Sequence, residues 1–296
     1  MRAPRVILVW VVSLALLVGS GGAVMAQTED PGPPVGAEGA VSEELFSVTL
    51  DESAIPEDLA GILFFRKRYS TEADISYGPG FVPPNTFVRY VEAGELALRP
   101  LSDTTIIRGD SDAHAPETVA AGAEAVVGVG DTFVMTDIPF DEFGHEALGE
   151  MATPGADAEV VGFAIREVRR CCSMSHAGMV SPWYTTLSGP ALEAMVGRPV
   201  TLSLARWELE PGAAIPPSSE DDPAIRRVEQ GTVTLISVTE GADAGPAGEA
   251  STLGYRAGNT IFPPVLADDQ VVVFRNDGDE PAVMYELAIA SEGDVG

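Results

Sequence analysis

The feature that most constrains this chain is a strand-and-turn pattern written twice. Residues 88–98 read VRYVEAGELAL and residues 225–235 read IRRVEQGTVTL. Val88 matches Ile225, Arg89 matches Arg226, Val91 matches Val228, Glu92 matches Glu229, Gly94 matches Gly231 and Leu98 matches Leu235. Apolar residues alternate with polar ones up to a glycine, the pattern of a strand entering a tight turn. Three more blocks follow the same order in both halves. Upstream, VTLDESAIP echoes WELEPGAAIP; downstream, GVGDTFVM echoes RAGNTIFP and VVGFAI echoes MYELAI. Gly130 thereby stands opposite Gly258, and Thr132 opposite Thr260. Four ordered blocks predict two copies of one β unit. The first copy is longer, mainly through EDLAGILFFRKRYSTEADISYGPG and DAHAPETVAAG.

Between the blocks the chain reads as short apolar or alternating runs punctuated by Gly, Pro and Asp, which predicts an all-β protein. Only GPALEAMVG at 189–197 has a helical pattern. At the N-terminus, Arg2 and Arg5 precede the apolar run VILVWVVSLALLVG, and Val24 and Ala26 are small residues at a cleavage position. That order predicts a secretory signal over 1–26, and hence an exported protein. The run is short for a membrane span, and no later stretch is expected to cross one. Residues 27–43 are acidic and rich in Gly and Pro, the composition of a flexible tether. The first β unit is expected over 44–170, a linker with the short helix over 171–198, and the second unit over 199–296.

The formal net charge is −28, and Lys67 is the only lysine. Such a surface repels nucleic acid and anionic lipid. There are two cysteines, the adjacent Cys171 and Cys172, so an exported chain of this kind has no disulfide framework.

The order LEPGAAIPP, VEQGTVTL, AGNTIFPP and VVVFRNDGDEPAVMYELAI in the second half resembles a cupin half-domain, and the first half follows the same order more loosely. The resemblance implies two cupin-type jelly-roll β-barrels joined by a short, partly helical linker, and homodimerisation. Metal-binding cupins carry two signatures, and here their ligand positions are altered. In the second half Gly212 and Gly231 are in frame, but Ser218, Glu220 and Ala224 replace the two histidines and the glutamate. The glutamate position of the first half is Phe87. In the second signature the histidine position falls on Asp141 in the first half and Asp269 in the second, with His145 close to the former. A borderline metal needs several converging imidazole, thiolate or carboxylate ligands. The expectation is therefore a barrel with no resident metal or cofactor.

By strand parity Phe87, Arg89 and Val91 share the inward face, as do Ala224, Arg226 and Val228. An inward arginine is costly unless paired, and its planar fork suits a carboxylate or phosphate. Either Arg89 and Arg226 hold an anionic small molecule, or they close internal ion pairs, with Glu220 or Asp269 as candidate partners, or they reach water at a barrel mouth. Arg89, Arg226, Glu220, Asp269 and His145 are the candidate ligand-binding residues.

The segment CCSMSHAGM at 171–179 adds Cys172, His176 and Met179, whose order resembles the copper loop of cupredoxins. That reading needs His114 or His145 as a further ligand. The alternatives are a packed cysteine, a strained vicinal disulfide, or a Cys172–His176 nucleophile with no orienting third group. The leading functional reading is a secreted, non-catalytic cupin-like module that binds a small ligand. Its rival is a metal-dependent cupin oxidoreductase with atypical ligands at His145 or at Glu220 and Asp269, and a copper protein stands third.

Overall fold

In a computed structural model of the chain, the described residues are 39–69, 75–77, 86–100, 102–109, 116–136, 147–152, 157–167, 179–187, 195–218, 224–239, 249–262 and 270–291. They are strands and turns, with a single 3-10 turn at Glu52–Ala54 and no α-helix among them. The all-β expectation holds.

The first unit is built within Thr49–Leu204. Its strands are β2 (Leu59–Tyr69), β3 (Ile75–Tyr77), β4 (Thr86–Ala93), β5 (Glu95–Leu98), β6 (Thr104–Ile107), β7 (Glu117–Val119), β8 (Ala125–Gly128), β9 (Thr132–Met135), β10 (Ala147–Ala152), β11 (Ala158–Glu167) and β12 (Met179–Leu187). One sheet runs β12-β2-β11-β4-β9-β6-β7 and the other β3-β10-β5-β8. Among the described residues, the second unit takes Ala205–Ala288 together with residues 39–48. Its strands are β1 (Ala40–Leu50), β13 (Val200–Leu209), β14 (Ala214–Ser218), β15 (Ala224–Gln230), β16 (Thr232–Thr239), β17 (Glu249–Arg256), β18 (Thr260–Ile261), β19 (Gln270–Arg275) and β20 (Ala282–Ser291). They form the orders β1-β13-β20-β15-β18 and β14-β19-β16-β17.

These orders are the same object twice. Strand by strand, β2-β11-β4-β9 corresponds to β13-β20-β15-β18, and β3-β10-β5-β8 to β14-β19-β16-β17. Eight strands crossing between two sheets in this way make a jelly roll. The repeated segment is β4 in one unit and β15 in the other. Both enter a bulge, at Glu92 and Glu229, where the register against the next strand shifts. The turns are copied as well. Val91 N donates to Asp131 O and Gly130 N to Val91 O; Val228 N donates to Asn259 O and Gly258 N to Val228 O.

The structure corrects three expectations. The echo of VTLDESAIP in WELEPGAAIP is not a structural equivalence. The partner of β13 in the repeat is β2, because both sit beside the closing strand, β20 or β11. Second, β1, read as the opening of the first unit, lies beside β13, and it begins at Ala40, inside the stretch expected to be tether. Third, the stretch read as a linker contains β12, which pairs antiparallel with β2 from Met179↔Tyr69 to Leu187↔Ile62. The strand preceding each half thus completes the large sheet of the other. An open sheet edge accepts any strand of suitable pattern, so sequence adjacency does not decide which one covers it. Of the expected helix at 189–197, residues 195–197 are turn and the rest lie outside the described residues.

Each unit buries its own core. Leu63, Phe65, Phe87, Val91, Leu96, Ile106, Phe133, Val160 and Ala164 fill the first, and Leu209, Ile215, Val228, Val233, Leu235, Phe274 and Met284 fill the second. Each large side chain removed from water contributes about 1.5–3 kcal/mol. The corner after β19 is tied by Asn276, fully buried, whose Nδ2 donates to Leu209 O and Glu280 O while its Oδ1 accepts from Gly278 N. Beside it the Arg275 guanidinium, hydrogen-bonded at 2.5 Å, holds the Asp277 carboxyl below its ordinary value. A depressed folded-state value means this contribution is present above the unfolded carboxylate pKa of about 4 and is lost as pH falls through the folded value. The pair is partly exposed and contributes roughly a few tenths of a kcal/mol. Asp277→Asn is therefore expected to flatten the acid limb of stability slightly and to leave neutral-pH stability nearly unchanged. Urea midpoints measured from pH 7 down to pH 3 test this.

Candidate functional site

Strand alternation decides which side chains enter the first barrel. Along β2 the sequence LFFRKRY places Leu63, Phe65, Lys67 and Tyr69 on the face that carries the core, while Arg66 and Arg68 fall on the other. Arg66 and Arg68 both pair with Glu159, and Arg66 also with Glu92. Along β4 the inward residues are Phe87, Arg89 and Val91. On β11 they are Ala158, Val160, Gly162 and Ala164, and Arg166 continues the same face. Three cations thus follow the inward parity of one barrel in a chain of net charge −28.

Lys67 and Arg89 are 2% and 0% exposed, against every expectation for such residues at a surface. They share their surroundings. The Lys67 ammonium lies 4.7 Å from the Phe65 ring centre and 5.7 Å from that of Phe87. The Arg89 guanidinium carbon lies 4.1 Å from Phe87, 5.6 Å from Phe65 and 5.7 Å from Phe133. Such ring faces attract cations, more strongly when water is excluded. Arg89 Nη1 donates to Tyr69 Oη at 3.1 Å. The register explains the convergence. Phe65, Gly162, Arg89 and Phe133 stand in one row across β2, β11, β4 and β9. Lys67, Val160 and Val91 form the adjoining row. Gly162 has no side chain, and a Cβ there would lie 2.1 Å from the Val88 carbonyl oxygen, so β4 and β11 approach closely at this row. Arg166 is paired with Gly61 on β2. Burial lowers its pKa.

The second barrel solves the same problem differently. Arg226 is opposite Glu286 in register, and its Nε donates to Glu286 Oε2 in an ion pair inside the barrel. Its guanidinium also lies 4.4 Å from the Phe274 ring centre. Glu286 occupies the place that Gly162 holds in the first barrel. Among the described residues, the internal partner of Arg226 is Glu286. Residues Glu220, Asp269 and His145 lie outside the described residues, as do Asp141, His114, Cys171, Cys172 and His176. Arg227, on the opposite face, donates to Thr260 Oγ1 and has its pKa lowered by burial, an effect that Glu229 offsets in part.

Sequence reading missed Lys67 and Tyr69 as site residues. The signal was present: the alternation that makes Phe65 inward makes Lys67 and Tyr69 inward too. It also missed Glu286, which the match of MYELAI with VVGFAI sets opposite Arg226 once the strands are paired.

Metal-binding cupins carry a glutamate where this chain has Phe87 and Ala224, and both side chains are buried on inner faces without any donor atom. The described residues do not fit a resident metal at those positions. Among the described residues, three or more His, Cys, Asp or Glu side chains do not converge anywhere, and no helix is long and apolar enough to cross a membrane.

No family model matches the chain, and no curated protein matches it. Several solved structures do. A cupin 2 conserved barrel domain protein from Salinispora arenicola is 18% identical over 29% of this chain and 61% of its own, with a TM-score of 0.22. An oxalate oxidase is 22% identical over 29% of this chain and 41% of its own, with a TM-score of 0.23. The cupin domain of Schizosaccharomyces pombe Cnp3 is 16% identical over 31% of this chain and 56% of its own, with a TM-score of 0.24. Each match spans less than two thirds of the other protein. The jelly-roll assignment follows from the strand order itself.

Proposed function

We propose that this protein is an exported two-barrel cupin that binds a small anionic molecule, without catalysis, inside its first barrel. The observation that carries the reading is the convergence of the chain's only lysine and of Arg89 on the same aromatic walls. A carboxylate or phosphate entering this interior would meet both cations where water is scarce and charge-assisted hydrogen bonds are strong. Arg89 offers a fork for a carboxylate or phosphate, and Lys67 a compact charge. The Tyr69 hydroxyl, hydrogen-bonded to Arg89, orients that fork. Arg226 has a structural role in this reading, because its fork is engaged by Glu286. The export signal supports the exported part of the proposal.

Calorimetric titration of the folded chain with acetate, succinate and inorganic phosphate tests it. At least one is expected to bind saturably. Arg89→Gln is expected to weaken that binding by roughly 1.5–3 kcal/mol, the value of a charge-assisted hydrogen bond. Arg275→Gln, in the second unit, is expected to leave it unchanged. No binding by any of the three, or equal binding by the Arg89 variant, overturns the proposal.

A further inference from the structure

We propose that Arg166, at the end of β11, binds the carboxylate of a small ligand on the Nε–Nη2 edge of its guanidinium. Nε and Nη2 are both buried and have no hydrogen-bond partner among the described residues. These two nitrogens aim one N–H each in the same direction, at a spacing that matches the two oxygens of a carboxylate. The neighbouring strand positions supply no acceptor. Arg166 stands opposite Gly61 on β2, which has no side chain. On the other side β4 begins at Thr86, opposite Ile165, so β4 places no residue beside Arg166. The next row inward on the same face is Leu63, Ala164 and Phe87, all buried and all without a polar side-chain atom. By contrast Arg66, Arg68, Arg108, Arg226 and Arg275 each meet a carboxylate of the chain itself.

A guanidinium withdrawn from water costs free energy until an anion meets it. Arg166 is half-buried rather than enclosed, so a ligand reaches it from solvent without entering the core. The rotatable stem of an arginine lets the edge turn to meet that ligand. The site is separate from Lys67 and Arg89. Gly162, in the row of Arg89, lies roughly 13 Å back along β11 at the ordinary strand rise. Carboxylate binding at Arg166 therefore goes beyond the function proposed above and stands or falls without it.

Nuclear magnetic resonance on the whole chain tests the site locally. Acetate is added at constant ionic strength, with sodium chloride replaced in step, because a chain of net charge −28 responds to salt alone. The Arg166 Nε–H signal, assigned by its loss in Arg166→Met, and the backbone amides of Gly61 and Ile165 are expected to shift saturably. In Arg166→Met the two amides are expected to need at least about tenfold more acetate, the loss of a charge-assisted hydrogen bond. The same variant, measured without acetate, is expected to have a higher urea midpoint than the parent, because an uncompensated cation has been removed. A lower midpoint would show that Arg166 serves an internal partner, and overturns the proposal. So does an Nε–H signal that acetate leaves unmoved, a result that needs only the parent protein to fold. Shifts with inorganic phosphate but none with acetate overturn the carboxylate assignment. Because the readout is local, none of these outcomes is confused with anion binding beside Arg89, which the Arg89→Gln calorimetry reports.

Discussion

Gly162→Ala is expected to destabilise the protein by at least about 3 kcal/mol, at the severe end of overpacking substitutions. The added methyl would lie 2.1 Å from the Val88 carbonyl oxygen and 2.9 Å from the Arg89 Cα. Both atoms are backbone, so no side chain can rotate away. The strands β4 and β11 would have to separate at the row that also holds Phe65 and Phe133. Opening that row would move Arg89 relative to Phe87 and Tyr69, so ligand binding should fall with stability. Gly254→Ala is the internal control. It lies in β17 with nothing within 4 Å of its would-be Cβ, and its φ is not in the left-handed region. It is expected to be neutral, or stabilising by roughly 0.5 kcal/mol through the unfolded chain. Urea unfolding of the two variants beside the parent measures the contrast. Equal midpoints for Gly162→Ala and the parent would show that the close approach of β4 and β11 is not real.

Arg226→Ala is expected to cost about 3 kcal/mol. It leaves Glu286 without its partner inside the second barrel and removes the guanidinium from the Phe274 face. The side chains of the pair are 8% and 16% exposed, so water can do little to compensate the remaining charge. The pair itself need not be strongly stabilising. Replacing both residues together, Arg226→Met with Glu286→Leu, is expected to recover most of the loss, because the burial cost of both charges disappears with them. A double-mutant cycle in urea gives the coupling directly. A single Arg226→Ala variant as stable as the parent would refute a closed ion pair and would return Arg226 to the candidate ligand-binding residues.

The two predictions treat equivalent positions. In both barrels an arginine enters the interior two residues after an apolar side chain, and in both it stacks on a phenylalanine. Across the sheet it faces Gly162 and Phe133 in the first barrel and Glu286 and Ile261 in the second, and the exchange of Gly162 for Glu286 is the one that changes the charge. That exchange turns one arginine into half of an ion pair and sets the other under a close backbone approach, with a lysine in the next row.

What the sequence determined by itself was everything that depends on neighbours along the chain. Two-residue alternation placed Arg89 and Arg226 on inner faces, and Gly94, Gly130, Gly231 and Gly258 marked the repeated turns where φ is positive. Those rules are steric and local, so they survive without knowledge of the partner strands. Three of the four repeated blocks were real equivalences for the same reason. The fourth, ending in Ala-Ile-Pro, was a likeness of local composition only. Tertiary structure alone decided which strand covers which edge, and so β1 completes the sheet of β13 while β12 completes that of β2. It alone supplied Glu286 to Arg226 and brought Lys67 to the rings shared with Arg89. Sheet pairing joins residues far apart in sequence through backbone groups that every residue carries, so the pattern of side chains leaves the partner unspecified until the barrel closes.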